Sequence, residues 1–375
     1  MVRPCRRLKH RRKCIASNLQ ARAYFNRQQS QGYFMQNKIM TLALQGGGSH
    51  GAFTWGALDR LLEDPRIEIE GISGASAGAM NAVAMSYGLA IGGRDGARQA
   101  LADFWDSVST RDLYSFMRPD ALSEAGIASQ ATSSALLKHM FSVTRMFSPY
   151  QLNPFDLNPL RDILGKQIDF ERLRAEGKVK LFIAATQVST GRLRIFRNDD
   201  LTQDALLASA CLPSMHHAVE IDGEAYWDGG LTANPPIFPL LHLCNSPDVL
   251  AVLLHPFRRP LTPTGTDEIG QRLSEISFSS TFFTELGGLA LAKRETEADP
   301  KARGKMHDRL KELRIHVIDS DALMSQLSSA SKLNTKASFI HALRDAGRAR
   351  AELWLTEKFS GADLQSNFDL DQFLA

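Results

Sequence analysis

Only four cysteines occur among 375 residues, Cys5, Cys14, Cys211 and Cys244, and they are widely scattered. They form no C-x-x-C pair and no Cys/His ligand spacing, which excludes a disulfide scaffold and a zinc module and suits a reducing compartment. Equally absent is any run of about 18 apolar residues, the length a membrane-spanning helix needs. Acidic residues are missing from the N-terminal segment, the first being Asp59. Residues 1–40 hold 10 of the 44 Lys and Arg, so the remaining 34 basic residues face 41 acidic ones. The net charge of +3 therefore combines a basic tail with an acidic body, and the acidic body speaks against a nucleic-acid partner. The tail opens with Arg3, Arg6, Arg7, Lys9, Arg11, Arg12 and Lys13. No apolar stretch follows these residues, as it would in a secretory signal. Residues 1–38 read as a disordered extension, or as sequence upstream of a start at Met35 or Met40, ahead of a binding arm for anionic lipid or nucleic acid. These absences lead us to expect a cytoplasmic protein, peripheral to the membrane at most.

What is present is ordinary globular usage, 43% hydrophobic and 23% charged, enough to bury a full core. A buried strand is expected at 39–45, a helix at 52–63, a strand at Ile67–Ile72, and a helix of small residues from Ala77 to Met85. Strand, helix, strand and helix at this spacing begin a parallel βαβ arrangement, and hence an α/β fold. Further strands are expected at 178–188, 192–196, 248–254 and Arg314–Ile318. A hairpin over 217–227 turns at Asp222-Gly223. A proline-rich break at 256–265 precedes a mainly helical region, 256–375, expected to pack on the same domain as residues 39–255. Leu136, Leu137, Met140, Phe141 and Phe147 share a helical face over 135–147 that could line an acyl pocket or touch a bilayer, although such stripes are more often core. The same applies to Phe278, Phe282 and Phe283.

Three motifs carry chemistry. Gly46-Gly47-Gly48-Ser49-His50-Gly51 lies between a strand and a helix, where successive backbone N–H groups face an anion. Taken alone, Gly46-x-Gly48-x-x-Gly51 also fits a dinucleotide site, with Glu70 as the ribose acid, and so an oxidoreductase. Gly74-Ala75-Ser76-Ala77-Gly78 follows the second strand as a nucleophile elbow does, with the Ala77 N–H aimed at a developing oxyanion. Asp228-Gly229-Gly230 leaves the hairpin, and an aspartate on such a turn can take a serine proton without histidine. A Ser–Asp–His order could be forced with His242 or His255; His242 reads as a core or surface residue, and His255 ends a strand.

Together these motifs resemble the patatin-like phospholipases of bacterial type. The resemblance carries its motifs over about 40–255. Ala208-Ser209-Ala210-Cys211-Leu212-Pro213 also matches, as do Ser148-Pro149-Tyr150, Asn158-Pro159-Leu160-Arg161, Ser331-Lys332-Leu333-Asn334 and Leu343–Arg348, which extend it to about 358. It implies a three-layer α/β/α fold with a mostly parallel sheet and hydrolysis of lipid acyl esters by a Ser76–Asp228 dyad. Gly46, Gly47, Gly48 and Ala77 would line the oxyanion hole, with Gly51, Gly74, Gly78, Gly229 and Gly230 completing the motifs. No metal or other cofactor is required. His50 stands where many members carry Arg or Lys, and it is expected to face solvent at a helix start. The other readings are the dinucleotide oxidoreductase and a non-catalytic binding protein of the same fold.

Overall fold

The computed structural model describes residues 37–111, 147–259, 261–299, 301, 303–359 and 366–374. The basic tail up to residue 36, and all of the expected 135–147 stripe except Phe147, lie outside them. The strands are β1 (Lys38–Leu44), β2 (Ile67–Gly74), β3 (Lys180–Gln187), β4 (Leu193–Arg197), β5 (Val219–Ile221), β6 (Glu224–Asp228), β7 (Asp248–Val252) and β8 (Arg314–Ile318). They form one eight-stranded sheet in the order β5-β6-β3-β2-β1-β7-β8, with β4 paired to β3. The β2–β3, β1–β7 and β7–β8 ladders are parallel. The end carrying the hairpin is antiparallel through β3–β4, β3–β6 and β5–β6. At the hairpin tip Asp222 and Gly223 both take positive φ, 53° and 79°, as a tight turn of this kind requires.

The helices are α1 (Gly51–Glu63), α2 (Ala77–Arg111), α3 (Pro149–Leu152), α4 (Pro159–Gln167), α5 (Phe170–Glu176), α6 (Gln203–Ser209), α7 (Phe238–Leu243), α8 (Thr266–Ala298), α9 (Lys305–Glu312), α10 (Asp321–Met324) and α11 (Ala337–Lys358). Strands with both faces covered read as continuous apolar runs, and here the side chains alternate between two cores. Leu181, Ile183 and Ala185 join a core built with α1, α2, α6 and α11. Phe182, Val249 and Ala251 join a second core with α7 and α8. The result is helix layer, sheet, helix layer. Phe282 is buried in that second core, and Phe283 stacks on Phe373, so both are packing residues.

The helix beginning at Ala77 runs well beyond Met85. The chain breaks its helical path at Gly92 and Gly93, where φ is −150° and +62°, and the two halves meet through Gly88 and Gly96. Beyond the break Leu101, Phe104, Trp105 and Val108 continue a buried face at helical spacing, but the intervening glycines interrupt the pattern, so a reading by periodicity that ends at Met85 stops short.

Strand register sets the site. Gly74 of β2 pairs with Ile183, and Ala185, two residues on, pairs with Asp228 of β6. Ser76, two residues past Gly74, therefore stands level with Asp228 across β3. α1 is buried between the sheet and α11, and this sandwich has backbone-to-backbone contact. A β-carbon on Gly347 would run into the Phe53 carbonyl, and one on Gly56 into the Arg344 carbonyl. Gly347→Ala would gain about 1 kcal/mol of helix propensity, but the obstructing atoms are backbone and cannot move aside. We expect a net loss of about 1–3 kcal/mol, read as a lower urea midpoint. A midpoint at or above that of the unaltered protein contradicts this account of the crossing.

Candidate active site

Three chain segments converge at one end of the sheet: the glycine turn after β1, the elbow after β2, and the Asp228 turn after β6. The glycine turn and the elbow, and the Asp228 turn and β3, approach so closely that side chains are excluded between them. A β-carbon on Gly78 would strike the Leu44 carbonyl, and one on Gly229 the Ala184 carbonyl. On Gly46 it would lie 2.7 Å from the Ala75 oxygen and 2.8 Å from the Ser76 β-carbon. Ser76 itself takes φ +53°, a left-handed conformation that non-glycine residues rarely adopt and that turns its hydroxyl outward at an elbow.

Hydrogen bonds from distant parts of the chain hold these turns. The Ser76 N–H donates to Ser209, to the carbonyl at 3.1 Å and to Oγ at 3.0 Å. The Gly46 N–H donates to Asn234 Oδ1 at 2.7 Å. This corrects the expectation for Gly46: its N–H is already committed, and what Gly46 offers is clearance for Ser76. Gln45 accepts from the N–H groups of Leu254 and His255 and donates Nε2 to the Asn234 carbonyl. Asn81, wholly buried, donates to the carbonyls of Gly51 and Ala77 and accepts from Trp105 Nε1 at 2.9 Å. It thereby ties the start of α1 to the start of α2. Gly48 opens the 3₁₀ turn Gly48–His50, and Ala77 is the first residue of α2. First-turn N–H groups have no partner within their own helix, which leaves both positions suited to an anion.

Asp228 is 1% exposed. Its Oδ1 accepts from the Gly230 N–H at 2.7 Å. Its Oδ2 has no partner that meets full hydrogen-bond geometry, and the Ser76 hydroxyl lies within donating reach of the carboxylate. Burial pushes the Asp228 carboxyl up to about 7, against the opposing pull of the Gly230 N–H, the Ser76 hydroxyl and the Lys332 ammonium. A buried carboxylate poised near neutrality is suited to exchanging a proton with a neighbouring hydroxyl.

The histidines stand elsewhere. His255 is buried, with Nε2 on Lys332 Nζ at 3.1 Å and Nδ1 on Ser279 Oγ at 3.3 Å. Burial, reinforced by Lys332 and His50, holds its pKa well below the usual value, and neither ring nitrogen is left for Ser76. His242 is exposed on α7. His50 differs from expectation: it is 3% exposed, with Nε2 on Ser331 Oγ at 2.7 Å. Burial and then Lys332 lower it to about 3, so it is neutral and contributes no cation to the loop. Glu70 is tied to Lys180 at 2.9 Å and to the N–H groups of Asn245 and Ser246 at 2.8 Å. These residues precede β7, at the sheet end away from the glycine turn, so Glu70 is not placed to read a ribose bound there.

Beside Ser76 is a cavity of about 80 Å³ lined by Met80, Phe104, Trp105, Val108, Leu207 and Leu333, among others, with Asn158-Pro159-Leu160 on one side. Its apolar wall suits a hydrocarbon chain. Among the described residues there is no group of three or more His, Cys, Asp or Glu arranged to hold a metal ion, and no helix is long and apolar enough to cross a membrane.

A family model described as Patatin-like phospholipase matches residues 42–241. A cGAMP-activated phospholipase of Vibrio cholerae serotype O1 is 26% identical over 234 residues. That stretch is 56% of this chain and 58% of the relative, so the chain spans less than two thirds of the protein it matches. Among solved structures, VipD from Legionella pneumophila superposes with a TM-score of 0.40 at 14% identity, over 86% of this chain and 67% of that one.

The bond from Gly46 to Asn234 supplies a test of how the glycine turn is held. Asn234→Ala leaves a buried N–H unpaired, which costs about 1–3 kcal/mol and should lower the urea midpoint accordingly. An unchanged midpoint would show that the turn holds itself.

Proposed function

The chain belongs to the Patatin-like phospholipase family, and on that premise we propose that it hydrolyses lipid acyl esters through Ser76 and Asp228. The observation that carries this reading is the buried Asp228 carboxylate, with one oxygen unpartnered and the Ser76 hydroxyl within reach. Asp228 takes the Ser76 proton as Oγ attacks the ester carbonyl. Charge developing on the carbonyl oxygen is met by the N–H groups of Ala77 and of the Gly47–Gly48 turn. The tetrahedral intermediate collapses, and the alcohol leaves with the proton returned from Asp228. Water, deprotonated by the same carboxylate, then cleaves the acyl-Ser76 ester and frees the fatty acid. The first carbons of the acyl chain enter the apolar cavity beside Ser76, and the head group stays outside it.

The route to that cavity favours a lipid surface. Phe155 and Leu157 are 84% and 70% exposed and directly precede the Asn158–Leu160 segment that lines the cavity. Tyr150 anchors the same segment by stacking on His217 at 4.0 Å and accepting from the Ala218 N–H. We read this lip as the part that enters the lipid interface.

Fatty-acid release from phosphatidylcholine and phosphatidylglycerol vesicles, with and without cGAMP, tests the activity. cGAMP is included because it activates the Vibrio cholerae relative. Ser76→Ala should lose about 10³-fold or more, and Asp228→Asn about 10²–10⁴-fold. The carboxyl must be ionised to accept a proton, so kcat/KM should fall as pH drops through about 7. Turnover that persists in Ser76→Ala contradicts the reading. For the lip, Phe155→Ser/Leu157→Ser should reduce hydrolysis of vesicles by about tenfold or more, since each side chain contributes up to about 1.5–3 kcal/mol when fully buried. Hydrolysis of a water-soluble short-chain ester should stay within about twofold. An equal fall on both substrates contradicts an interfacial role.

A further inference from the structure

Behind the glycine turn lies a half-buried lysine, Lys332, that the reaction scheme leaves unused. The 3₁₀ turn Ser329–Leu333 packs on the turn Gly48–His50. Gly48 has φ +59°, and a β-carbon there would lie 2.5 Å from the Lys332 carbonyl oxygen. The Lys332 ammonium is turned inward and donates to His255 Nε2 at 3.1 Å. His255 is thereby fixed as the tautomer whose Nδ1–H faces Ser279 Oγ. The same enclosure reaches the Asp228 turn, because Phe278 packs on Gly230 and against the His255 ring.

The charged and titratable groups that face this ammonium are Glu275 of α8, Asp228, His255 and His50. Glu275 is already matched, by Arg259 at 2.5 Å and Arg272 at 3.2 Å, with Gln271 also donating to it. Both histidines are held neutral by burial beside the cation. On its other side Asp228 faces the Cys211 thiol, pushed up to about 12 by burial and so neutral, and the Ser76 hydroxyl. Asp228 is therefore the acid whose charge is left for Lys332 to balance.

We propose that Lys332 is a positioning residue for the Ser76–Asp228 pair: its inward-turned ammonium favours the ionised form of Asp228, while its carbonyl backs the Gly48 turn. This rests on the dyad reading given above. Lys332 exchanges no proton in the reaction; it acts by making the carboxylate available at neutral pH. A cation enclosed in the same low-dielectric region as a carboxylate favours its ionised form. Removal of the cation should therefore move the acid limb of activity to higher pH and leave the alkaline plateau nearly intact.

The test is the pH profile of kcat/KM on a soluble short-chain ester, for the full chain and for Lys332→Met, Lys332→Gln and Lys332→Arg, with folding checked by circular dichroism. Lys332→Met and Lys332→Gln should shift the acid limb upward by about one pH unit, which is about tenfold less activity below the limb. Lys332→Arg, which keeps the charge, should restore the limb. A uniform fall at every pH, with the limb unmoved, would mean that Lys332 acts only by packing, and overturns the proposal. So would failure of both uncharged variants to fold when Lys332→Arg folds, since the charge would then serve the fold. Ser76→Ala and Asp228→Asn run alongside keep the two claims separate. If the unaltered protein turns over and these two remain as active as it, the dyad reading fails. If they are inactive and the limb stays put in Lys332→Met, only the Lys332 assignment fails.

Discussion

The carboxyl of Asp228 is enclosed in protein, and enclosing it is costly unless its charge is met by dipoles or a neighbouring cation. Much of what surrounds it can be understood from that constraint. The Gly230 N–H engages one oxygen, the Ser76 hydroxyl approaches the carboxylate, and Lys332 contributes its field from behind the glycine turn. These contributions stop short of full compensation, which is why the carboxyl rests near neutrality and not in the ordinary acidic range. A fully satisfied carboxylate would be a poor base. One left wholly unsatisfied would remain protonated.

The second constraint is steric. The glycine turn and the elbow meet backbone against backbone, and the Asp228 turn lies in the same way on β3, so the glycines at 46, 78 and 229 are required by close approach and not by flexibility. Such contact is possible only if strand register is held to the residue, since a slip of one position turns every side chain to the opposite face. The parallel β2–β3 ladder and the antiparallel β3–β6 ladder together supply that register. Buried amides fasten the turns to the sheet. Asn234 holds Gly46, Gln45 holds the chain after β7, and Asn81 holds the starts of two helices.

The sheet was largely legible in the sequence, because strands covered on both faces appear as short apolar runs bounded by turn residues. Arg314–Ile318, isolated in a helical region, was readable for the same reason. The three segments that converge at the candidate site were legible as motifs because each packs its residues into a few consecutive positions. The supporting residues were not. Ser209 lies 133 positions from Ser76, and Asn234 lies 188 from Gly46, and no local pattern marks a partner brought near only by folding. Ser331-Lys332-Leu333-Asn334 and Leu343–Arg348 were visible as resemblance without a reason. The reasons are the Lys332 carbonyl against Gly48 and the Gly347 notch that admits α1. His50 was misread because a helix start is usually exposed, whereas here the Ser329–Leu333 turn packs against it.

The central claim is that Asp228, without histidine, activates Ser76. Its most direct measurement is fluorophosphonate labelling of the purified protein, read by intact mass and peptide mapping, with Asp228→Asn and His255→Ala in parallel. The account predicts a single label on Ser76 that is lost in Asp228→Asn and retained in His255→Ala. Loss of the label in folded His255→Ala would contradict it and point to a triad. Absence of any label on the folded, unaltered protein would remove Ser76 as the nucleophile.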